Sequence, residues 1–190
     1  DSVVVHPLPV GNVVLPNKDY ICEFANMLLN CTSNASSYQW FLNGTSISGA
    51  NTSSYLATQP GIYSVKLTSV FGCENFANGR INLNLRKKPI VDFSFPTFCK
   101  KEPILFNNLS NVSNSGPINW LWNFGDNSFS NQFNPTHTYM NEGNDTVTLT
   151  ATSIDCPSLV SQSQQIITVA APIPGLRYPT VTALKNNNTY

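Results

Sequence analysis

The chain has 190 residues, only 11% of them charged, and its ten acidic and ten basic side chains cancel. A neutral chain has no bulk field to draw nucleic acid or an anionic membrane, and no run of residues nears the roughly 18 apolar positions of a membrane span. A hydrophobic content of 41% with regularly placed aromatics can bury a core, which excludes a disordered polar chain.

Solubility must then rest on Asn, Ser and Thr. With thirteen prolines and eleven phenylalanines, this composition describes an extracellular all-β protein. No basic segment leads into an apolar run as a secretion signal would. We therefore expect an internal piece of a longer exported protein.

In chain order, Ser2-Val3-Val4-Val5 reads as the last strand of a preceding module, so residues 1–18 are expected to hold the end of that module and a linker. From residue 19 to 86 the pattern is strand-rich. Tyr38-Gln39-Trp40-Phe41-Leu42 is an aromatic strand turning at Asn43-Gly44, a strong hairpin signal. In Gly61-Ile62-Tyr63-Ser64-Val65-Lys66-Leu67 the period of two turns Tyr63, Val65 and Leu67 inward. The closing strand does the same with Ile81, Leu83 and Leu85, leaving Asn82, Asn84 and Arg86 outside.

After Arg86-Lys87-Lys88-Pro89 the same grammar returns over residues 90–170. Ile104 and Phe106 open a core, Trp120, Trp122 and Phe124 alternate toward one face, and Gly125-Asp126-Asn127 supplies turn chemistry. Val147, Leu149 and Ala151 alternate with Thr146, Thr148 and Thr150. No helical period persists over a dozen residues anywhere. The fold class expected is all-β, with two tandem immunoglobulin-like β-sandwiches. Ala171-Pro172-Ile173-Pro174 reads as a stiff spacer, and residues 175–190 as the first strand of a following module.

Three stretches of the second segment carry a resemblance: Trp122-Asn123-Phe124-Gly125-Asp126-Asn127, Pro135-Thr136-His137-Thr138-Tyr139 and Gly143-Asn144-Asp145-Thr146-Val147-Thr148-Leu149. They resemble the signature of the polycystin-type (PKD) domain, usually written W-x-F-G-D-G, P-x-H-x-Y and G-x-Y-x-V-x-L. Asn127 stands in place of the second glycine and Asp145 in place of a tyrosine. The first segment resembles the immunoglobulin-like modules found beside PKD domains, through Trp40 to Gly44 and Gly61 to Val65. The resemblance implies a tyrosine corner at Tyr63 and a buried free thiol at Cys31, since Val65 stands where the partner cysteine of an immunoglobulin would be. It also implies that Asp126 and His137 are structural: the carboxylate accepts backbone amides in its turn, and the imidazole is packed and hydrogen-bonded. The tail segment Arg177-Tyr178-Pro179-Thr180-Val181-Thr182 is similar to segments that follow PKD domains in Bacteroidota-type surface proteins with adhesin or gliding-motility roles.

Five cysteines in a secreted chain imply two bridges and one leftover thiol. Position in the repeated grammar selects Cys22–Cys73 and Cys99–Cys156. Free thiols in a reducing compartment and a metal site are the alternatives, the latter weakened because no Cys-x-x-Cys occurs and only His6 and His137 could assist.

No Ser-His-Asp order and no G-x-S-x-G elbow is present, so no catalytic residues are nominated. Some PKD domains hold calcium, but the corresponding stretch here, residues 110–116, contains no carboxylate, and Asn111 and Asn114 alone would bind poorly. No cofactor or metal is expected. Sugar binding is the more serious candidate, with Tyr55, Phe129 and Phe133 in loop-like surroundings as stacking surfaces; capping of the sandwich end competes for Phe129 and Phe133.

The function expected is a non-catalytic repeat segment of a large bacterial cell-surface or secreted protein, a stalk with an adhesion role. The alternative is a carbohydrate-binding accessory module of a secreted polysaccharide-degrading enzyme. Expected partners are neighbouring domains of the same polypeptide, with surface glycans or a secretion and motility apparatus beyond them. Nucleic acid and direct membrane insertion are not expected, and the fragment should be monomeric.

Overall fold

A computed structural model describes residues 3–98 and 101–170, and every regular element among them is a strand. The first sandwich contains β1 (Gly11–Val14), β2 (Tyr20–Cys22), β3 (Met27–Ser33), β4 (Ser37–Leu42), β5 (Thr45–Ser46), β6 (Ser54–Ala57), β7 (Gly61–Thr68), β8 (Glu74–Phe76) and β9 (Ile81–Arg86). One sheet has the order β1-β3-β6, and the facing sheet β2-β9-β7-β4-β5, with β8 joining the far half of β7. Between them lie Leu29, Trp40, Tyr63, Val65, Leu67, Ile81 and Leu83, all buried. The alternation that places them is visible along β7, where Tyr63, Val65 and Leu67 are inside and Ile62, Ser64 and Lys66 are not. Asn43 and Gly44 adopt φ of +51° and +83°, the left-handed pair that a tight two-residue hairpin demands.

The second sandwich contains β10 (Phe93–Ser94), β11 (Ile104–Leu105), β12 (Asn107–Asn108), β13 (Ile118–Asn123), β14 (Phe129–Ser130), β15 (Thr136–His137), β16 (Gly143–Ser153) and β17 (Val160–Val169). Its main sheet runs β14-β13-β16-β17. The opposite layer is short and broken: β12 pairs with β10, and β11 with β15. Phe93, Ile104, Phe106, Trp122, Phe124, Val147, Leu149 and Ile167 fill the space between. Of the three alternating rings, Trp122 and Phe124 are buried, while Trp120 is half-buried at the end of the row.

Two expectations change. Val3, Val4 and Val5 lie in no strand and are exposed, since an apolar run without a ladder partner cannot bury its face. The first sandwich also begins before residue 19, because β1 pairs with β3 and puts Val13 into the core. The spacer and strand read over residues 171–190 lie outside the described residues.

Candidate functional site

Each sandwich is pinned by one tryptophan. Trp40 Nε1 donates to the Thr52 carbonyl at 2.9 Å, and Trp122 Nε1 donates to the Gln132 carbonyl at 3.0 Å. Both rings are fully buried, so each indole N–H takes its partner from a loop folded over the core. Tyr63 donates its hydroxyl to the Gln59 carbonyl, four residues upstream, at 2.8 Å, which is a tyrosine corner. Burial pushes its phenol up from the ordinary value. Tyr139 donates in the same manner to the Phe124 carbonyl at 2.8 Å, and burial together with the charges of Asp126 and Asp145 drives its phenol strongly upward.

The Gly-Asp-Asn turn gathers a serine, a histidine and an aspartate. Asp126 Oδ1 accepts the Ser128 amide and hydroxyl, and Asp126 Oδ2 lies 2.8 Å from His137 Nε2. Ser128 Oγ sits 3.3 Å from that same nitrogen. A proton relay needs the serine and the carboxylate on opposite ring nitrogens. Here both meet Nε2, so the imidazole knots the turn and relays nothing. Its ring stacks on Phe124 at 4.2 Å and meets Tyr139 edge-on at 4.6 Å. Burial acts to raise the Asp126 carboxyl, but the hydrogen bonds from Ser128 and His137 outweigh it and hold the group below its ordinary value. Asn127, at φ +69°, takes the left-handed position that the family signature gives to glycine.

The two sandwiches meet at a clasp. Cys22, the last residue of β2, is bonded to Cys156 in the β16–β17 hairpin, with Cα atoms 5.9 Å apart. Beside it, Arg86 at the end of β9 lies over the Tyr20 ring at 4.9 Å and places Nε 2.9 Å from Asp155 Oδ2. That contact is ionic, since the Nε–H has no aligned acceptor. The Lys87 amide donates to the Asn114 carbonyl at 2.8 Å, and the Ser161 hydroxyl donates to the Pro89 carbonyl. Gly116, at φ +73°, lets the loop before β13 close on this group: a Cβ there would collide with the Asp155 carboxylate. The hairpin is braced from within, because the Ser153 hydroxyl donates to the Ser115 carbonyl at 2.7 Å and accepts the Cys156 amide at 3.2 Å.

This bridge corrects both expected pairs. Cys22 is joined to Cys156, so neither Cys22–Cys73 nor Cys99–Cys156 forms; Cys73 is a free thiol, and Cys99 lies outside the described residues. Strand register explains why. β2 runs parallel to β9 with Cys22 opposite Arg86, at the end where the chain leaves the first sandwich. Because β7 is antiparallel to β9, the turn that carries Cys73, beyond Thr68, lies at the other end. Cys31 is a buried free thiol whose pKa is raised by burial.

The three aromatic candidates for stacking are not brought together. Tyr55 packs between Trp40 and Tyr63, with centroids 6.2 and 5.9 Å away. Phe133 leans edge-on against Trp120 at 5.5 Å. Phe129 stands apart on the main sheet, 60% exposed and opposite Asn123. Asn111 is engaged structurally, bridging to Ile90 and accepting the Ser113 amide. Among the described residues no group of three or more His, Cys, Asp or Glu is gathered for a metal ion.

The fold and clasp define a class: tandem immunoglobulin-like β-sandwiches joined by an interdomain disulfide. Residues 86–168 match the PKD domain family. Among solved structures, the chain is similar to the PKD1 domain of Vibrio anguillarum Epp, at 23% identity and TM-score 0.41, over 46% of this chain and 99% of that one. It is similar to the PKD1 domain from the Vibrio cholerae metalloprotease PrtV at 30% identity and TM-score 0.38, over 43% and 95%. The three N-terminal domains of the bacteriophage RB49 Highly Immunogenic Outer Capsid protein align more broadly, over 85% of this chain and 59% of that one, at 10% identity and TM-score 0.47. No curated protein sequence matches the chain.

Proposed function

We propose that the chain is a non-catalytic spacer of a large cell-surface or secreted bacterial protein, in which two sandwiches act as one stiff unit that positions its neighbours for adhesion. The observation that carries this reading is the Cys22–Cys156 bridge between domains. A disulfide within a sandwich would stabilise that sandwich alone. One between sandwiches removes the freedom of the junction, where independent motion is the default for linked domains. An extracellular location agrees with such a bridge, which persists in oxidising surroundings. The neighbouring modules of the same polypeptide are the partners that this geometry would serve, in an adhesin or a gliding-motility surface protein.

Small-angle scattering of the full chain, with and without reductant, tests the proposal. The oxidised chain should give the narrow distance distribution of one rigid body. The reduced chain, and a Cys22→Ser, Cys156→Ser variant, should give a broader one. Equal breadth in all three would overturn the stiff-unit reading.

A further inference from the structure

The outer face of the first sandwich carries a groove of about 890 Å³ that plays no part in a spacer. Strand register builds it. Ile62 and Ser64 point outward from β7, between the buried Tyr63 and Val65. Phe41 stands opposite Ser64 and Phe76 stands opposite Lys66, so two rings flank the small serine with centroids 5.5 Å apart. Phe76 is 53% exposed, a large apolar surface left at the rim of an edge strand. Asn43 and Gly44 at the hairpin turn, with Asn78, Gly79 and Arg80 after β8, close the two ends.

Polar capacity is left over at these ends. Asn43 Oδ1 accepts the Ile62 amide at 2.9 Å, which leaves Nδ2 as a donor. Asn78 Nδ2 reaches Asn12 Oδ1 at 3.4 Å, which leaves its own Oδ1 as an acceptor. Arg80 is exposed and makes no ion pair or hydrogen bond with any described residue. No carboxylate lines the groove, and Glu74 on β8 is already paired with Lys66 at 3.0 Å. The groove therefore offers two apolar ring faces, neutral donors and acceptors, and one uncompensated guanidinium built to grip a carboxylate.

We propose that this groove binds a saccharide containing uronic acid: sugar ring faces rest on Phe41 and Phe76, hydroxyls meet Asn43, Ser64 and Asn78, and the carboxylate meets Arg80. The volume lies within the range of roughly 300–1,000 Å³ typical of ligand sites. An acidic peptide fits less well, because extended peptides are held by free backbone groups at a sheet edge. Here the floor is β4 and β7, whose backbones are spent in ladders, and the free edge of β8 lies at the rim rather than in the floor.

Titration calorimetry of the full chain with a short oligogalacturonate, against a neutral xylan oligosaccharide of equal length, tests this. The acidic sugar should bind at least about tenfold more tightly, a difference near 1.4 kcal/mol. Arg80→Gln should erase that preference and its salt dependence, and Phe76→Ala should abolish binding of both sugars. Amide NMR shifts at Gly44 and Gly79, with melting curves for each variant, separate a lost site from a lost fold. The proposal is overturned if oligogalacturonate gives no heat and no shift at millimolar concentration, or if Arg80→Gln binds as tightly. Equal binding of the neutral sugar, or binding of an oligoglutamate peptide in place of sugar, overturns it equally. The stiffness of the domain pair is read by scattering and this site by titration, so either can fail alone.

Discussion

Single side chains decide where each sandwich closes. Tyr63 spends its hydroxyl on the Gln59 carbonyl, so Tyr63→Phe removes one part-buried hydrogen bond and loosens the loop that it ties to β7. A loss of about 1 kcal/mol in urea denaturation is expected. Asp126 makes a pH prediction. Its folded-state pKa lies below its ordinary value, so its contribution is whole above the unfolded pKa and is lost as pH falls through the folded one. Thermal melts should show the wild type weakening through the acid carboxylate range. Asp126→Asn should be weaker near neutrality, by about 1 kcal/mol given its partial exposure, and flatter toward acid. Much of this was open to reading in the residues: the Trp40 and Trp122 strands, and the turn at Asn43-Gly44, announce themselves by period and turn chemistry. The pairing of Phe133 with Trp120 was not open to reading, because loop path decides it and loop path has no period.

At the scale of elements, alternation was a sound guide where a strand has one wet face. β7, β9 and β16 bury the residues their period assigns, with Leu85 only half-buried where β9 nears the junction. The signal failed for Val3 to Val5, whose apolar run has no ladder to join. It also missed β1, a short Gly-Asn-Val-Val strand recruited by pairing with β3 rather than by pattern. The Phe41–Phe76 groove was equally hidden, since it depends on which residue of β8 faces which residue of β7. The loop ahead of β13 carries a prediction of its own. Gly116→Ala adds left-handed strain of about 1–2 kcal/mol and drives a methyl toward Asp155. The loss should be non-additive with Arg86→Gln in a double-mutant cycle, because both act on one carboxylate.

At the scale of the whole molecule, the repeated grammar misled the cysteine pairing. Like positions in two like domains suggested two internal bridges, but a bridge forms where Cβ atoms meet, and only the relative placement of the domains shows that. Cys22 and Cys156 are 134 residues apart in sequence. In the chain-entropy treatment a loop of that length stabilises the folded pair by about 5 kcal/mol. Reduction, or the Cys22→Ser, Cys156→Ser variant, should therefore lower the melting temperature and split one cooperative calorimetric transition into two, as each sandwich unfolds alone. A single unshifted transition would remove the bridge from the account of stability.

The clasp also gives the two halves a second covalent route past the exposed Lys87-Lys88 pair that follows β9. A trypsin-like protease that nicks the backbone there severs the peptide without parting the fragments. Such a cut should be invisible on a non-reducing gel and yield two bands once thiol is added, leaving two sandwiches that stay joined after damage at their most basic sequence.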